Sequence, residues 1–366
     1  MEDIDWGLLS SYAGLLTLAS TSIYLGSFGS LPNPKGSEGE EGDEDVDVEM
    51  VSSEDAWLFP LIGSGTLLGL YTIIQYFGKE WINWLLGIYF SIAGMGSVWK
   101  SSISLYVFLV GQNRWKKHGK HTFTIHKDNH KILSLSWRMP TLFLLPLSII
   151  PSALYTFSAT SRKSVLLTDI LSLSFSHNAL SLLKIDSFKT GTILLTGLFF
   201  YDIWWVFGTR VMVEVATTLD VPIKLLWPKS MTLSDSRGFT MLGLGDVVIP
   251  GAFIALALRY DYHRFSGQSH SGSQFSRPYF YVSLSAYVAG LVTTLSVMHF
   301  FGKAQPALLY LSPACILSFV ITAFCRGELS EAWDWSDAPP PASKDQGAGD
   351  PMEEKAAEGG SSELKD

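Results

Sequence analysis

The chain has little cysteine and little charge. Its 366 residues include only two cysteines, Cys315 and Cys325, and both fall in the last apolar segment, which excludes a disulfide-stabilised scaffold. Only 16% of the residues are charged, whereas 47% are hydrophobic. This balance is too apolar for an ordinary soluble protein and is typical of a protein that crosses a membrane several times.

Four further signals are missing. The first nine residues, MEDIDWGLL, are acidic where a cleavable signal peptide needs a basic start, so we expect a retained first helix. No spacing of His, Cys and Asp resembles a zinc site, and no serine stands in a Ser/His protease context. We therefore predict no metal and no cofactor, and nothing in the sequence indicates nucleic-acid binding.

The charge that is present is unevenly distributed. Residues 38–55 hold ten Asp or Glu and no Lys or Arg, and residues 327–366 hold eleven Asp or Glu and three Lys. Together these segments carry a formal charge of −18, which leaves +10 on the rest of the chain. Their Gly, Ser, Pro and Glu content cannot bury enough apolar surface to fold alone, so solvated disorder is expected, with partner binding as the alternative.

These composition changes predict the domain organisation. Residues 1–329 are expected to form a polytopic transmembrane domain, which includes an acidic flexible loop at 32–55 and a basic loop at 112–138. Residues 330–366 are expected to form a disordered, acidic, cytosolic tail.

The apolar runs predict an all-α membrane protein, a bundle of about nine transmembrane helices. A spanning helix needs about 20 mostly apolar residues. Nine runs meet this length approximately: 6–27, 57–77, 81–111, 139–158, 165–183, 190–211, 239–258, 279–300 and 306–325.

Two of the nine runs are unusual. The third is long and is interrupted by Lys100, so it is either one tilted span or a span of 81–99 followed by an interfacial helix. The fifth contains three serines, His177 and Asn178 close together. Such a polar helix is expected to face other helices and not lipid.

The basic residues in the loops predict the orientation. With the N-terminus on the luminal side, the cytosolic loops contain thirteen Lys or Arg and the opposite loops contain eight. The block NRWKKHGKH at 113–121 contributes most to this difference. We therefore predict a luminal N-terminus and a cytosolic C-terminus; the block can alternatively bind anionic lipid or nucleic acid.

Two aspartates stand inside apolar runs, where a charge is costly and usually marks a proton, ion or catalytic site. Asp202 lies in GTILLTGLFFYDIWWVFGT, and Asp246 lies in FTMLGLGDVVIPGAFIALAL. Neighbouring helices run antiparallel, so the two carboxylates can reach similar depths. Two adjacent carboxylates cannot both ionise, and one ionised and one protonated group can together activate water and polarise an amide carbonyl.

Small residues surround this pair in the sequence. Glycines allow close approach of helices and of a second backbone, and a proline suits the start of a helix because its missing N–H is not needed there. An unwound substrate strand needs backbone partners, which such segments supply. The residues expected to shape the site are Tyr201, Gly243, Leu244, Gly245, Gln305, Pro306, Ala307 and Leu308.

Three motifs in three apolar segments resemble those of the intramembrane aspartyl proteases, the presenilin and signal peptide peptidase family. Similarity continues through FPLIGSGTLLGLY at 59–71 and covers most of the chain outside the acidic loop, the basic loop and the tail. The motifs that carry the resemblance are Tyr201-Asp202 (YD), Gly243-Leu244-Gly245-Asp246 (GxGD) and Gln305-Pro306-Ala307-Leu308 (QPAL, followed by Leu309-Tyr310).

The resemblance favours the signal peptide peptidase branch. The QPALLY context matches that branch, and the short segment 212–238 lacks the long excisable loop of presenilins. What the resemblance implies is a presenilin-like fold, a catalytic pair Asp202 and Asp246, and a location in the endoplasmic reticulum membrane. It further implies substrates that are transmembrane peptides, such as remnant signal peptides and type II membrane segments. Homo-oligomers and quality-control partners of the endoplasmic reticulum are left open.

Other readings of these residues remain. The two aspartates can be structural, and Tyr201, the glycines and Pro306 can be plain packing residues. Tyr260-Asp261 repeats the YD pair but is expected to be a solvated helix end, and Asp169, His177 and His299 are expected to bond between helices. At the level of function, the rivals are an ion-coupled transporter, for which paired membrane acids bind ions, and a non-catalytic membrane chaperone.

Overall fold

The computed structural model describes residues 6–31, 50–115, 119–127, 130–157, 164–219, 221–229, 238–267, 275–302 and 305–337. Helices dominate these residues. In chain order the elements are α1 (Trp6–Gly29), β1 (Met50–Val51), α2 (Ser53–Phe77), α3 (Lys79–Val110), α4 (Gln112–Trp115), β2 (Lys120–Lys127), β3 (His130–Arg138), α5 (Met139–Phe157), α6 (Val165–Leu182), β4 (Lys184–Ile185), α7 (Phe188–Gly208), α8 (Val211–Thr218), β5 (Lys224–Pro228), β6 (Phe239–Gly243), α9 (Gly245–Gly267), α10 (Pro278–Phe301), α11 (Leu308–Arg326) and α12 (Leu329–Asp334).

The helical membrane fold is confirmed. Eight of the described helices are long and apolar enough to cross a membrane: α1, α2, α3, α5, α6, α7, α10 and α11. α3 is one continuous helix of 32 residues, which favours one long span over a span of 81–99 followed by a separate interfacial helix. Lys100 is tolerated because it is exposed on the surface of the helix, and a lysine can extend its amine toward the headgroups.

α9 is the ninth long helix and lies at the centre of the bundle. It packs against α1, α6, α7, α10 and α11, and its residues 252–261 are all buried. Its surroundings are therefore protein and not lipid, which explains why it can carry Asp246, Arg259 and Asp261 and is less apolar than the other long helices. The predicted span 239–258 is corrected: residues 239–243 form β6, and the helix begins only at Gly245.

A β-hairpin inside the bundle replaces the first turns of that predicted span. β5 and β6 are antiparallel, with Lys224 opposite Gly243 and Pro228 opposite Phe239. The hairpin is fixed from both sides, because Thr240 Oγ1 and Ser11 Oγ of α1 are 2.8 Å apart and the backbone N–H of Leu226 donates to Asp169 of α6 (2.8 Å). The polar groups of two helices thus set the position of the segment that leads to Asp246.

The polar character of α6 is explained by these contacts. Ser172 Oγ donates to the carbonyl oxygens of Pro222 and Lys224, at 3.0 and 2.8 Å. Ser176 accepts from Ser22 of α1, and the amide of Asn178 donates to Ser97 of α3. The prediction that this helix faces protein is confirmed.

The membrane-embedded groups that are not expected to be catalytic also make contacts between elements. Asp169 bonds to β5, as described above. His177 faces the end of α1 beside Gly29, and His299 packs edge-on against the ring of Tyr12, with 6.0 Å between centroids.

A segment after α11 closes the end of the bundle at which α7 begins and α9 ends; we call Glu328–Asp337 the C-terminal clamp. The guanidinium of Arg259 is 2% exposed, and it pairs with Asp337 (Nε···Oδ2 2.7 Å) and donates to the carbonyl of Ile185 (2.8 Å). The Lys184 amine in β4 lies outside the spanning helices, and its pKa is lowered mainly by burial and secondly by repulsion from Arg259. The folded chain therefore extends past residue 329, the predicted end of the membrane domain.

Aromatic and charged contacts hold the clamp on two helices. The ring of Trp335 lies 5.2 Å from that of Tyr260 and 6.2 Å from that of Phe188. Glu328 pairs with Arg264 at 2.5 Å. The clamp therefore joins the first turn of α7 to the last turns of α9, the two helices that carry the membrane aspartates.

The prediction of a solvated end at Tyr260-Asp261 is wrong. Both residues are buried, and the carboxylate of Asp261 accepts from the backbone N–H groups of Tyr279 (3.4 Å) and Phe280 (2.9 Å). These donors belong to the first turn of α10, where N–H groups lack partners within the helix. Asp261 is thus a structural cap, about 22 Å along α9 from Asp246 at 1.5 Å per residue.

The two predicted loops contain structure at their described residues. The segment 112–138 includes the hairpin β2–β3, in which Lys120 is opposite Arg138. At the end of the acidic segment, β1 pairs in parallel with β4 and Ser52 caps α2 together with Asp55. The remaining residues of the acidic loop, 32–49, and the tail beyond 337 lie outside the described residues.

Candidate active site

Asp202 lies on α7 with its carboxylate directed at the start of another helix. The residue is 4% exposed, and its Oδ2 accepts the backbone N–H of Leu308 at 2.9 Å. Leu308 is the first residue of α11. The first N–H groups of a helix have no partner in the helix and carry a partial positive charge, so α11 holds one oxygen of Asp202 and leaves the other free to react.

Asp246 is the second residue of α9, where the hairpin turns into the helix. The backbone N–H groups of Val247 and Val248 bond to the carbonyl of Leu244, which closes this first turn. α9 and α7 pack together, and the Asp246 carboxyl lies within range of Coulombic repulsion from Asp202. The structure therefore brings the two predicted catalytic residues into one site, each beside the N-terminus of a helix.

The glycines before Asp246 have different surroundings. A methyl group added at Gly243 would lie 3.3 Å from Oδ2 of Asp246, whereas one added at Gly245 would meet nothing within 4 Å. Leu244 between them donates its N–H to the carbonyl of Ile223 (2.9 Å), which ends the hairpin. Gly243 is thus the residue whose lack of a side chain keeps the carboxylate of Asp246 accessible.

The third motif forms the entry to α11. Pro306 and Ala307 are buried, and their carbonyl oxygens accept from Leu309 (3.3 Å) and Leu311 (3.1 Å) respectively. Gln305 precedes them and is half-buried. Pro306 has no N–H, and the donor of this turn that bonds to Asp202 is the N–H of Leu308.

Tyr201 borders a lateral opening next to Asp202. A cavity of about 440 Å³ lies between α2 and α7, and Tyr201, Pro60 and Trp204 line it. Trp205 on the same helix donates to Ser64 of α2 (3.1 Å), which holds the two helices together. The cavity is open on one side and mostly apolar; Tyr201, the neighbour of Asp202 in sequence, lines it, whereas Asp202 itself does not.

Sequence reasoning missed one residue at this site. The hydroxyl of Tyr287, on α10, donates to the backbone carbonyl of Asp246 at 3.3 Å. A tyrosine in the middle of an apolar helix is a weak signal, because most such residues only pack. Among the described residues, no group of three or more His, Cys, Asp or Glu could hold a metal ion.

The arrangement is suited to hydrolysis by two carboxylates. Such chemistry needs one ionised and one protonated group, and two close carboxylates in a low-dielectric site share a proton for electrostatic reasons. Helix N-termini beside both groups favour the negative charge that one of them must keep. The pair titrates as a unit, so its two macroscopic pKa values belong to the pair.

Bulk at Gly243 is expected to block turnover more than bulk at Gly245. Gly243→Leu places a side chain against the Asp246 carboxylate, so peptide cleavage should fall by about 100-fold or more. Gly245→Leu has open space and should cost much less. Initial rates of cleavage for both variants, with thermal unfolding as the folding control, check this; equal losses would contradict the assigned role of Gly243.

The sequence matches known proteins along most of its length. A family model described as signal peptide peptidase matches residues 43–338. The chain is 37% identical to signal peptide peptidase of mouse over 360 residues, which cover 97% of this chain and 90% of the mouse protein. It is 37% identical to the human signal peptide peptidase over 339 residues, 91% of this chain and 85% of that protein. It is 40% identical to intramembrane protease 2 of Caenorhabditis elegans over 230 residues, 61% of this chain and 46% of that protein.

Proposed function

The chain belongs to the signal peptide peptidase family, and from this premise we propose that it is an aspartic endopeptidase that hydrolyses peptide bonds within transmembrane helices. One observation carries the proposal. The carboxylates of Asp202 and Asp246, from two packed membrane helices, lie at one site, and a backbone N–H from the QPAL segment orients Asp202.

The reaction uses the pair and a water molecule. The ionised carboxylate takes a proton from water while the water oxygen attacks the carbonyl carbon of the scissile amide. The protonated carboxyl donates a hydrogen bond to the carbonyl oxygen, which becomes the hydroxyl of a tetrahedral intermediate. The carboxyl that took the proton from water then gives it to the amide nitrogen, and the other carboxylate takes the proton of one hydroxyl as the C–N bond breaks. The products are an amine and a carboxylic acid, and the pair again holds one proton. Asp202 and Asp246 are the catalytic residues of this proposal.

The substrate binds next to the hairpin as an extended strand. An amide inside a helix is shielded, so the substrate must unwind, and its freed N–H and C=O groups then need partners inside the membrane. β6 pairs with β5 along one edge, and Gly243 and Met241 at its end are exposed. Addition of a strand beside β6 would satisfy those groups and place the amide at Asp246.

The substrates proposed are remnant signal peptides and type II membrane segments, and the lateral cavity at Tyr201 is their proposed approach. The mouse and human relatives carry the name signal peptide peptidase, which supports this class. We further propose the endoplasmic reticulum membrane as the location, with a luminal N-terminus and a cytosolic C-terminus. This orientation rests on the distribution of basic residues in the loops.

The test is direct cleavage. The purified protein is incubated in detergent with a signal-peptide-like helix, and mass spectrometry identifies the fragments. Internal cleavage within the apolar stretch is expected. Proton flux is measured in parallel in liposomes of the same preparation. Proton flux without peptide cleavage would contradict the protease and favour the ion-coupled transporter.

Peptides with a hydroxyl in place of the scissile carbonyl are expected to inhibit strongly. The hydroxyl occupies the position of the tetrahedral oxygen, and mimics of a transition state bind about 100-fold or more tighter than the matching substrate. Asp246→Asn should weaken this binding by about 10-fold or more, because a charged hydrogen-bond partner is lost. Inhibition constants and direct binding measure the effect; equal affinity for the wild type and the variant would place the inhibitor elsewhere.

A further inference from the structure

α9 contains a proline four residues after Asp246. In an α-helix each carbonyl accepts the N–H of the residue four positions later. For Asp246 that residue is Pro250, which has no N–H to donate. The carbonyl left without its regular donor therefore belongs to the residue whose side chain is proposed to react.

Tyr287 supplies a donor to this carbonyl from the neighbouring helix. Its hydroxyl bonds to the backbone oxygen of Asp246 at 3.3 Å, and the residue is 0% exposed. α10 packs along α9, and the phenol is also close enough to Asp246 to interact with its charge. A buried tyrosine hydroxyl needs a partner, and a buried carbonyl does too, so the two requirements are met by one bond.

The bonds from Val247 and Val248 to the carbonyl of Leu244 close the first turn of α9, but they do not involve the carbonyl of Asp246. Asp246 is only the second residue of the helix, and the exposed Gly243 and Gly245 precede it. Helix ends fray readily, and an unpaired carbonyl in this turn would favour distortion. A cross-helix bond to the backbone of Asp246 fixes the residue itself and not merely the helix.

We propose that Tyr287 is a positioning residue for Asp246. The hydroxyl of Tyr287 takes the place of the N–H that Pro250 lacks. The inference rests on the proposed function, because it concerns a proposed catalytic residue. The ring of Tyr287 fills space that phenylalanine also fills, so removal of the hydroxyl alone tests the bond. Displacement of a reacting group by a fraction of an ångström lowers turnover more than substrate binding.

The experiment is a double-mutant cycle. Tyr287→Phe is expected to lower kcat by about 10-fold with KM changed by less than about twofold. Pro250→Ala restores an N–H that can donate to Asp246. In that background, Tyr287→Phe should cost less than about twofold, because the carbonyl has its regular donor again. Tyr281→Phe is the matched control on the same helix, since Tyr281 is 49% exposed, and its kcat should equal that of the wild type.

Each outcome has a defined meaning. A wild-type kcat for Tyr287→Phe overturns the proposal, and so does an equal loss in the wild-type and the Pro250→Ala backgrounds. If Tyr287→Phe does not fold well enough for kinetics, thermal unfolding is compared instead, and failure of Pro250→Ala to restore it overturns the proposal. Asp246→Asn distinguishes failure of the proposed function from failure of the proposed role of Tyr287. Retained cleavage by Asp246→Asn contradicts the proposed function itself. Loss of cleavage by Asp246→Asn, together with a wild-type kcat for Tyr287→Phe, contradicts only the role of Tyr287.

Discussion

Asp202→Asn and Asp246→Asn are each expected to lower peptide cleavage by roughly 1,000-fold or more while the protein stays folded. An amide side chain can neither take the proton of water nor share a proton with the other carboxylate. The loss in the double variant should be about as large as in either single variant, because residues that act as a unit do not contribute additively. Rates of fragment formation by mass spectrometry give the measurement.

Asp261→Asn provides the matched control for that prediction. It lies in the same sequence context as Asp202, after a tyrosine, and on the same helix as Asp246, but it caps α10 far from the site. Its replacement should lower the thermal stability and leave turnover per folded molecule close to that of the wild type. Substantial turnover by Asp202→Asn or Asp246→Asn would remove the two-carboxylate mechanism.

Loss of the C-terminal clamp is expected to destabilise the fold strongly. A chain that ends after Gly327 loses Asp337, the partner of the Arg259 guanidinium, and removal of one partner of a buried pair costs about 3–5 kcal/mol. We expect about 3 kcal/mol here, the lower end of that range, because the Asp337 side chain is 28% exposed. Thermal unfolding in detergent should show a clear drop in Tm.

The control is a chain that ends after Asp337. It keeps every described contact of the clamp and removes only residues 338–366, so its Tm and cleavage rate should equal those of the full chain. Asp337→Asn in the full chain should reproduce part of the loss seen after Gly327. Equal stability of the two truncated chains would show that the pair Arg259–Asp337 does not hold the helices together.

The positions of the membrane helices can be predicted from the sequence because length and hydropathy are local properties. The observed α10, Pro278–Phe301, differs from the predicted span 279–300 by one residue at each end. The family motifs likewise identify Asp202 and Asp246, since the charge of each is conspicuous within its apolar run. The contacts between the segments that carry the motifs are harder to predict from the sequence.

Long-range contacts explain the failures. An apolar run such as 239–258 does not by itself distinguish a buried strand from a helix, so the sequence predicts a span where β6 lies. Asp261 is expected in solvent because its neighbours in sequence are charged, yet its partners, Tyr279 and Phe280, come from the next helix. The bond from Tyr287 cannot be predicted from the sequence for the same reason. Pro250 indicates that a carbonyl lacks its donor, but only the packing of α10 shows which side chain supplies that donor.

The contacts of α1 with the hairpin limit which sequences can occupy that position. A methyl group at Gly14 would overlap the ring of Trp227, and one at Gly26 would lie 2.6 Å from Leu180. Together with the Ser11–Thr240 bond, these close approaches make the surface of α1 complementary to β5, β6 and α6. A generic leucine-rich anchor of equal length would insert into the bilayer equally well but could not dock here. Exchange of this helix for that of a distant protein therefore requires exchange of the hairpin as well, although 194 residues lie between Gly29 and Lys224.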